Sequence, residues 1–220
     1  MLTIPKLYNL NETIAASLFA VATYPWELLP RIGDHIIELG RSLSPDRFIQ
    51  TADNIWIARS AQVAPTAVIG GPAIIDEEAQ IRHCAYIRGN VIVGKRAVVG
   101  NSTELKNALL FNEVQVPHYN YVGDSILGFR SHLGAGAVVS NLKSDKSLVQ
   151  IKIADDAYAT GLKKCGALLG DQVEVGCGSV LNPGTVIGRE SIIYPLSMVR
   201  GYIPPDSIYK NQGEVILKQA

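Results

Sequence analysis

The chain has little of what most often marks a function. Its 220 residues include 3 cysteines, 2 methionines, 2 tryptophans and 4 phenylalanines, and only 18% are charged. Cys84, Cys165 and Cys177 are odd in number and form no Cys-x-x-Cys pair. That spacing argues against a zinc cage and reads as free thiols in a reducing cytoplasm. Twenty basic and twenty acidic residues cancel, so no basic field points to nucleic acid and no polybasic tract to a membrane surface. No stretch approaches the ~20 apolar residues of a membrane span. Residues 14–22 are apolar and end Phe19-Ala20-Val21-Ala22, like a leader cleavage site. A leader, however, opens with a basic region. Here Asn9, Asn11 and Glu12 precede the run, Lys6 is the only charged residue before Glu12, and the stretch reads as the start of a helix.

What the chain does have is a beat of six. An aliphatic residue recurs without a miss at Ile57, Val63, Ile69, Ile75, Ile81, Ile87, Val93, Val99 and Leu105. A small residue follows four later, at Ala61, Ala67, Ala73, Ala79, Ala85, Val91, Ala97 and Thr103. The beat returns as Leu169, Val175, Leu181, Ile187, Ile193 and Val199. A period of six fits neither a lone helix nor an alternating strand, and marks a hexapeptide solenoid. The fold class expected is therefore all-β: a left-handed parallel β-helix in which three hexads make one triangular coil and each aliphatic points into the prism. Left-handedness is a property of this repeat class rather than a consequence of the spacing.

Three segments are expected. Residues 1–54 lack the beat and form a helical N-terminal cap over the first coil, since a solenoid end is otherwise an open apolar edge. Within it, Asn9 and Glu12 suggest a capping box, Tyr24-Pro25 a break, and Pro30 a second helix starting at Arg31. Residues 55–205 form the β-helix. The beat slips after Leu105, with Leu110, Val116, Val122, Leu127, Leu133 and Val139 containing two gaps of five. It is lost from residue 141 to 166, where alternating apolar residues Val149, Ile151 and Ile153 suggest a hairpin or extruded loop. Long interruptions of a repeat are where functional loops tend to sit. Residues 206–220 are a short tail.

The period also places side chains. Arg88 and Lys106 are eighteen apart, so they stack on neighbouring coils about 4.8 Å apart. Both directly follow an inward aliphatic, where the first coil has Gly70. Two stacked cations suit a phosphate or carboxylate; the alternative is a solvated basic face balanced by acids. His118 lies between the two slips and is a candidate general base. Of the other histidines, His35 falls on the cap helix, His83 on an exposed corner, and His132 directly before Leu133.

Longer motifs sharpen this. Val99-Gly100-Asn101-Ser102-Thr103-Glu104-Leu105-Lys106, His118-Tyr119-Asn120-Tyr121-Val122-Gly123-Asp124, and Leu133-Gly134-Ala135-Gly136 reaching to Asn141 occur in order. They resemble the VGN-x-x-E-x-K, HLTYLGD and IGAG…N motifs in the acetyltransferase half of the bifunctional N-acetylglucosamine-1-phosphate uridylyltransferase/glucosamine-1-phosphate acetyltransferase family. The stretch from 161 to 188 looks closer to archaeal-type relatives. The resemblance implies an acetyl-CoA-dependent N-acetyltransferase acting on an amino-sugar phosphate, a homotrimer, and no metal. It implies His118 as general base, Arg88, Glu104, Lys106, Tyr121 and Asn141 at the sugar phosphate, and Ala135 at the acetyl-CoA site. Arg189, Arg200 and Lys210 are candidates for the coenzyme's phosphates on charge alone. The chain departs from the family pattern at His132, where a substrate-contacting Asn is expected, and in the loop after Asn141. No glycine-rich nucleotide loop occurs near the start, and 54 residues cannot hold the nucleotidyltransferase half. Uridylyl transfer is not expected, and a separate nucleotidyltransferase is an expected partner. Two rivals remain open: a non-catalytic sugar-nucleotide-binding or partner solenoid, and a zinc carbonic anhydrase-like enzyme, which needs three histidines at the metal.

Overall fold

The computed structural model describes residues 3–153, 156–210 and 215–217. It is a left-handed parallel β-helix of about eight turns with a short helical N-terminal region. The first side of the prism stacks the inward side chains of Ile57, Ile75, Val93, Leu110, Leu127, Leu169, Ile187 and Ile203. The second runs from Val63 to Tyr209, and the third from Ile69 to Val199. Nearly all these aliphatics are fully buried, each contributing about 1.5–3 kcal/mol relative to exposure.

The corners explain the beat and its slips. Three residues after an inward aliphatic the backbone takes a left-handed turn, at Glu78, Cys84, Asn90, Arg96 and Ser102, with φ between 52° and 58°. At Asn107 and Asp124 that turn comes only two residues after Leu105 and Val122, each with φ 49°. These two corners are one residue short. Strands Glu104–Leu110 and Tyr121–Leu127 run unbroken around them, and the sheet pairs Leu105 with Val122 rather than shifting register. Asn and Asp suit this conformation better than most side chains.

The helical segment is present, but it lies along the first side rather than over the first coil. That side is apolar outside as well as inside: Trp56, Ile74, Ile92, Leu109, Ile126, Leu168 and Val186 point outward and are at most 6% exposed. The strap covers them from coil to coil. Asp171 donates its N–H to Leu7 O at 3.0 Å, Asn112 donates to Glu12 O at 2.9 Å, and Asn107 Nδ2 donates to Leu29 O at 3.2 Å. Helix Ile32–Ser42 then meets Trp56, and a Cβ on Gly40 would lie 2.3 Å from that ring. The open end is left bare, with the inward Val63 still 38% exposed.

The anticipated helix over 9–22 is instead two 3₁₀ segments, Leu10–Glu12 and Ala16–Val21. Its backbone is claimed elsewhere: the Asn9 N–H donates to Asp171 Oδ2 at 2.8 Å, and the Glu12 carbonyl accepts from Asn112. The interruption at 141–166 is a hairpin, Gln150–Ile153 against Asp156–Ala159, folded over the same first side. Val149 and Ile151 are fully buried, and the Tyr158 ring stands 5.6 Å from Tyr24 and 6.1 Å from Trp26 of the strap. The coil continues past Pro205: Ser207–Tyr209 completes the second side and pairs with Val215–Leu217. Residues 211–214 and 218–220 of the expected tail lie outside the described residues, as do Ala154 and Asp155. Among the described residues no helix is long and apolar enough to cross a membrane.

Cys165 closes the base of the hairpin, with its N–H on Asn141 O at 2.9 Å. Burial pushes its thiol up to about 12, so it stays protonated and unreactive near neutral pH. Titration of the folded protein with a disulfide reagent at pH 8 should label Cys84 and Cys177, which are exposed, and reach Cys165 only in denaturant. Labelling of Cys165 at a comparable rate in the native protein would contradict the docked hairpin.

Candidate functional site

The third side carries the candidate residues, and its two corners divide them. On the corner where the third side begins, Val116-Pro117 brings the chain to His118, which pairs with Asn101 on the coil before. The His118 N–H donates to Asn120 Oδ1 at 3.1 Å, and its carbonyl accepts from Gly136 at 3.0 Å. The ring is exposed and has no hydrogen bond among the described residues. Ala135 stacks next in this column, exposed, with an N–H that meets no acceptor among the described residues. Asn120, 2% exposed, locks the two corners together by donating to Gly134 O at 2.9 Å and Ala137 O at 3.1 Å. Cys177 follows Ala135 in the same column, its neighbour Gly178 donating to Ala135 O.

The other histidines are engaged differently. His83 Nδ1 is 2.7 Å from Thr66 Oγ1, and His132 Nδ1 is 2.8 Å from Glu174 Oε2 on the second side. His35 sits on helix Ile32–Ser42, where burial lowers its pKa. Among the described residues no group of three or more His, Cys, Asp or Glu is placed to hold a metal ion.

On the corner where the third side ends, Arg88 and Lys106 stack as their spacing requires, the Arg88 N–H bonding to Leu105 O at 2.8 Å. Neither cation stands alone. Arg88 Nη1 donates to Glu104 Oε1 at 2.7 Å, and that bond, reinforced by the carboxylate charge, raises the pKa of the guanidinium. It also draws the guanidinium back over the third side, toward the His118 corner. Lys106 Nζ meets Asp124 Oδ1 at 3.1 Å and Oδ2 at 3.3 Å. The cationic pair is thus a charge-balanced cluster of four.

A third layer was not read from the sequence. Asn107, Asp124 and Asn141 each lie two residues after an inward aliphatic and are seventeen apart, the period of the shortened coils. They form a ladder in which Asn107 Nδ2 donates to Asp124 Oδ1 at 2.9 Å and Asn141 Nδ2 donates to Asp124 Oδ2 at 2.5 Å. Asn141 Nδ2 also reaches Tyr121 Oη at 3.3 Å. Asp124 is 4% exposed and sits behind these groups. Testing seventeen-residue spacings as well as eighteen would have found the ladder.

Two candidates for the coenzyme part company. Arg200 lines a cleft of about 490 Å³ with Ser140, Lys143, Lys152, Asn182 and Gly184, at the edge of the third side. Arg189 is two residues after Ile187 of the first side, and its Nη2 lies 3.3 Å from Asp171 Oδ2, the carboxylate that also holds Asn9. The structure brings neither to Ala135: Arg200 follows Val199 on the edge that carries Arg88 and Lys106, and Arg189 lies on the first side. Lys210 follows Tyr209 at the end of the second side.

These features define a hexapeptide-repeat β-helix protein with a polar, charge-balanced site on one side. Over residues 69–203 the sequence matches the family described as "GMPPB C-terminal domain", and the chain belongs to that family. The resemblance to bifunctional acetyltransferases is also borne out. The "Bifunctional protein GlmU" of Methanococcus aeolicus is 31% identical over 212 residues, spanning 88% of this chain and 47% of the relative. The "Bifunctional sugar-1-phosphate nucleotidylyltransferase/acetyltransferase" of Sulfurisphaera tokodaii is 28% identical, spanning 67% of this chain and 41% of the relative. A "Putative uncharacterized acetyltransferase YaiX" of Escherichia coli is 28% identical, spanning 76% and 72%. The chain spans about half the length of the bifunctional relatives. Among solved structures, WeeI from Acinetobacter baumannii superposes loosely, at 15% identity and a TM-score of 0.42 over 70% of this chain and 57% of that one.

Gly123 keeps the polar corner open: a Cβ there would stand 2.6 Å from both Asn141 Nδ2 and Tyr121 Oη. Both are tips of movable side chains, so Gly123→Ala should fold with a melting temperature within a few degrees of the parent, roughly a 1 kcal/mol change. A ligand that rests on Tyr121 and Asn141 should bind at least about tenfold more weakly by calorimetry, with glucosamine 1-phosphate as the probe, a 1.4 kcal/mol loss. Unchanged binding would remove Tyr121 and Asn141 from the site.

Proposed function

We propose that this chain is a cytoplasmic, acetyl-CoA-dependent N-acetyltransferase acting on an amino-sugar phosphate of the glucosamine 1-phosphate kind. The observation that carries the reading is the layout of the third side. A free histidine ring and the Ala135 N–H occupy one edge, and Arg88, Lys106 and Asn141 occupy the other, with Glu104 and Tyr121 between. An anionic group held at one edge directs an amine toward the other. The names of the archaeal relatives and of the Escherichia coli relative support acetyl transfer.

In this reading the sugar amine attacks the thioester carbonyl. The N–C bond forms as His118 takes the amine proton, the Ala135 N–H steadies the developing oxyanion, and the C–S bond then breaks. Coenzyme A leaves as the thiol, taking up the proton that His118 holds. Transfer is direct, with no acyl-enzyme, and relies on proximity plus one base. The Arg200 cleft, with Lys143 and Lys152, suits the coenzyme's phosphates. We also propose a homotrimer. Val68, Tyr86, Val180 and Met198 project from the third side at 39–66% exposure, and a closed ring of prisms would cover them.

A thiol-release assay with acetyl-CoA against glucosamine and galactosamine phosphates tests the reading. Release should require the phosphorylated amino sugar, and His118→Ala should lower kcat by about 10²–10⁴. Full turnover by His118→Ala would overturn the base. The second reading, a non-catalytic partner of a separate nucleotidyltransferase, is favoured by the match to a family described as a C-terminal domain. Calorimetry separates the two, since a scaffold would leave millimolar acetyl-CoA unbound.

A further inference from the structure

We propose that Asp124 is a positioning residue that fixes the hydrogen-bonding polarity of the sugar-phosphate site, an inference that rests on the acetyltransferase reading above. An ionised carboxylate only accepts hydrogen bonds. Both Asp124 oxygens are taken up, Oδ1 by Lys106 and Asn107 and Oδ2 by Asn141. The carboxylate therefore dictates which way each neighbour faces.

The consequence spreads outward in two steps. Asn141 must turn its Nδ2 toward Asp124, which leaves its Oδ1 facing away as a fixed acceptor. That same Nδ2 donates to Tyr121 Oη at 3.3 Å, so the phenol oxygen accepts and its proton is left to donate outward. Lys106, held from behind on a 4% exposed group, keeps N–H bonds for a ligand in front. The site thus presents donors from Arg88, Lys106 and Tyr121 and one acceptor from Asn141. That set fits a phosphate beside a hydroxyl or amine. Lysine is a flexible chain with high rotamer entropy, and fixing it in advance removes an ordering cost from binding.

The backbone ties this group to the rest of the fold. The Asp124 carbonyl accepts from Gly166 N–H at 2.7 Å, closing the hairpin base, while Asn107 Nδ2 bridges Asp124 to Leu29 O of the strap. Asp124 lies behind the reacting groups, so its effect should fall on sugar binding rather than on the acetyl donor.

The test is a double-mutant cycle between Asp124→Asn and Lys106→Met, read as KM for glucosamine 1-phosphate, KM for acetyl-CoA, kcat and melting temperature. Asp124→Asn keeps the shape but adds a donor where only acceptors fit. It should raise the sugar-phosphate KM more than about tenfold and leave the acetyl-CoA KM within about twofold. The double variant should be little worse than Lys106→Met alone, because coupled residues fail additivity. Additive effects, an unchanged sugar-phosphate KM, or parallel losses for both substrates would overturn the positioning role and leave the acetyltransferase reading standing. No acetyl transfer by the unaltered protein to any amino-sugar phosphate would overturn both. Should Asp124→Asn fail to fold, Asp124→Ser enters the same cycle with the same outcomes.

Discussion

Two corners that each lack one residue hold the site together. The coils before this point take eighteen residues, but Leu105 pairs with Val122 and Leu110 with Leu127 at a spacing of seventeen. The missing residue is at the corner between the third and first sides, in two successive coils. A deletion that left the core would have cost the inward aliphatics their stack. Here they stay in register, and the change appears only in what the corner presents: Lys106 next to Asn107, Gly123 next to Asp124, with Asn141 above. A side chain on Gly123 would fill the gap that Tyr121 and Asn141 enter.

The charges of the cluster balance one another. Arg88 leans on Glu104, which is partly in solvent, and such an exposed pair adds little to stability. Lys106 and Asp124 form a more buried pair, with side chains 28% and 6% exposed. A pair of that kind costs desolvation, offset here by amide donors from Asn107 and Asn141. The strap and hairpin keep water from its back. Both pack on the apolar outside of the first side, and their aromatic rings at Tyr24, Trp26 and Tyr158 join them directly behind the corner.

The inward ladder was legible because it obeys one period. The stacking of Arg88 on Lys106 followed from the same arithmetic, while the shared column of His118 and Ala135 was not read from the sequence. The strap was not legible as a strap. Its signal lay in doubled aliphatics, Ile74-Ile75, Ile92-Val93, Leu109-Leu110, Ile126-Leu127 and Leu168-Leu169, which mark strands buried on both faces. A search for one residue in six finds the second of each pair and passes over the first. Helical propensity in residues 9–22 gave way to tertiary hydrogen bonds at Asn9 and Glu12. Arg189 was chosen for its charge, although the eighteen-residue period that stacks Arg88 on Lys106 also sets Asp171 on the coil beside it. The Asn107–Asp124–Asn141 ladder hid in the very slips that looked like a loss of order.

A crystal structure with coenzyme A and glucosamine 1-phosphate bound tests the central claim most directly. The phosphate is predicted to lie within hydrogen-bonding distance of Arg88 and Lys106, with the amine turned toward His118 and Asp124 still bonded to Lys106 and Asn141. A sugar phosphate seated elsewhere, with Arg88–Glu104 and Lys106–Asp124 undisturbed, would contradict it.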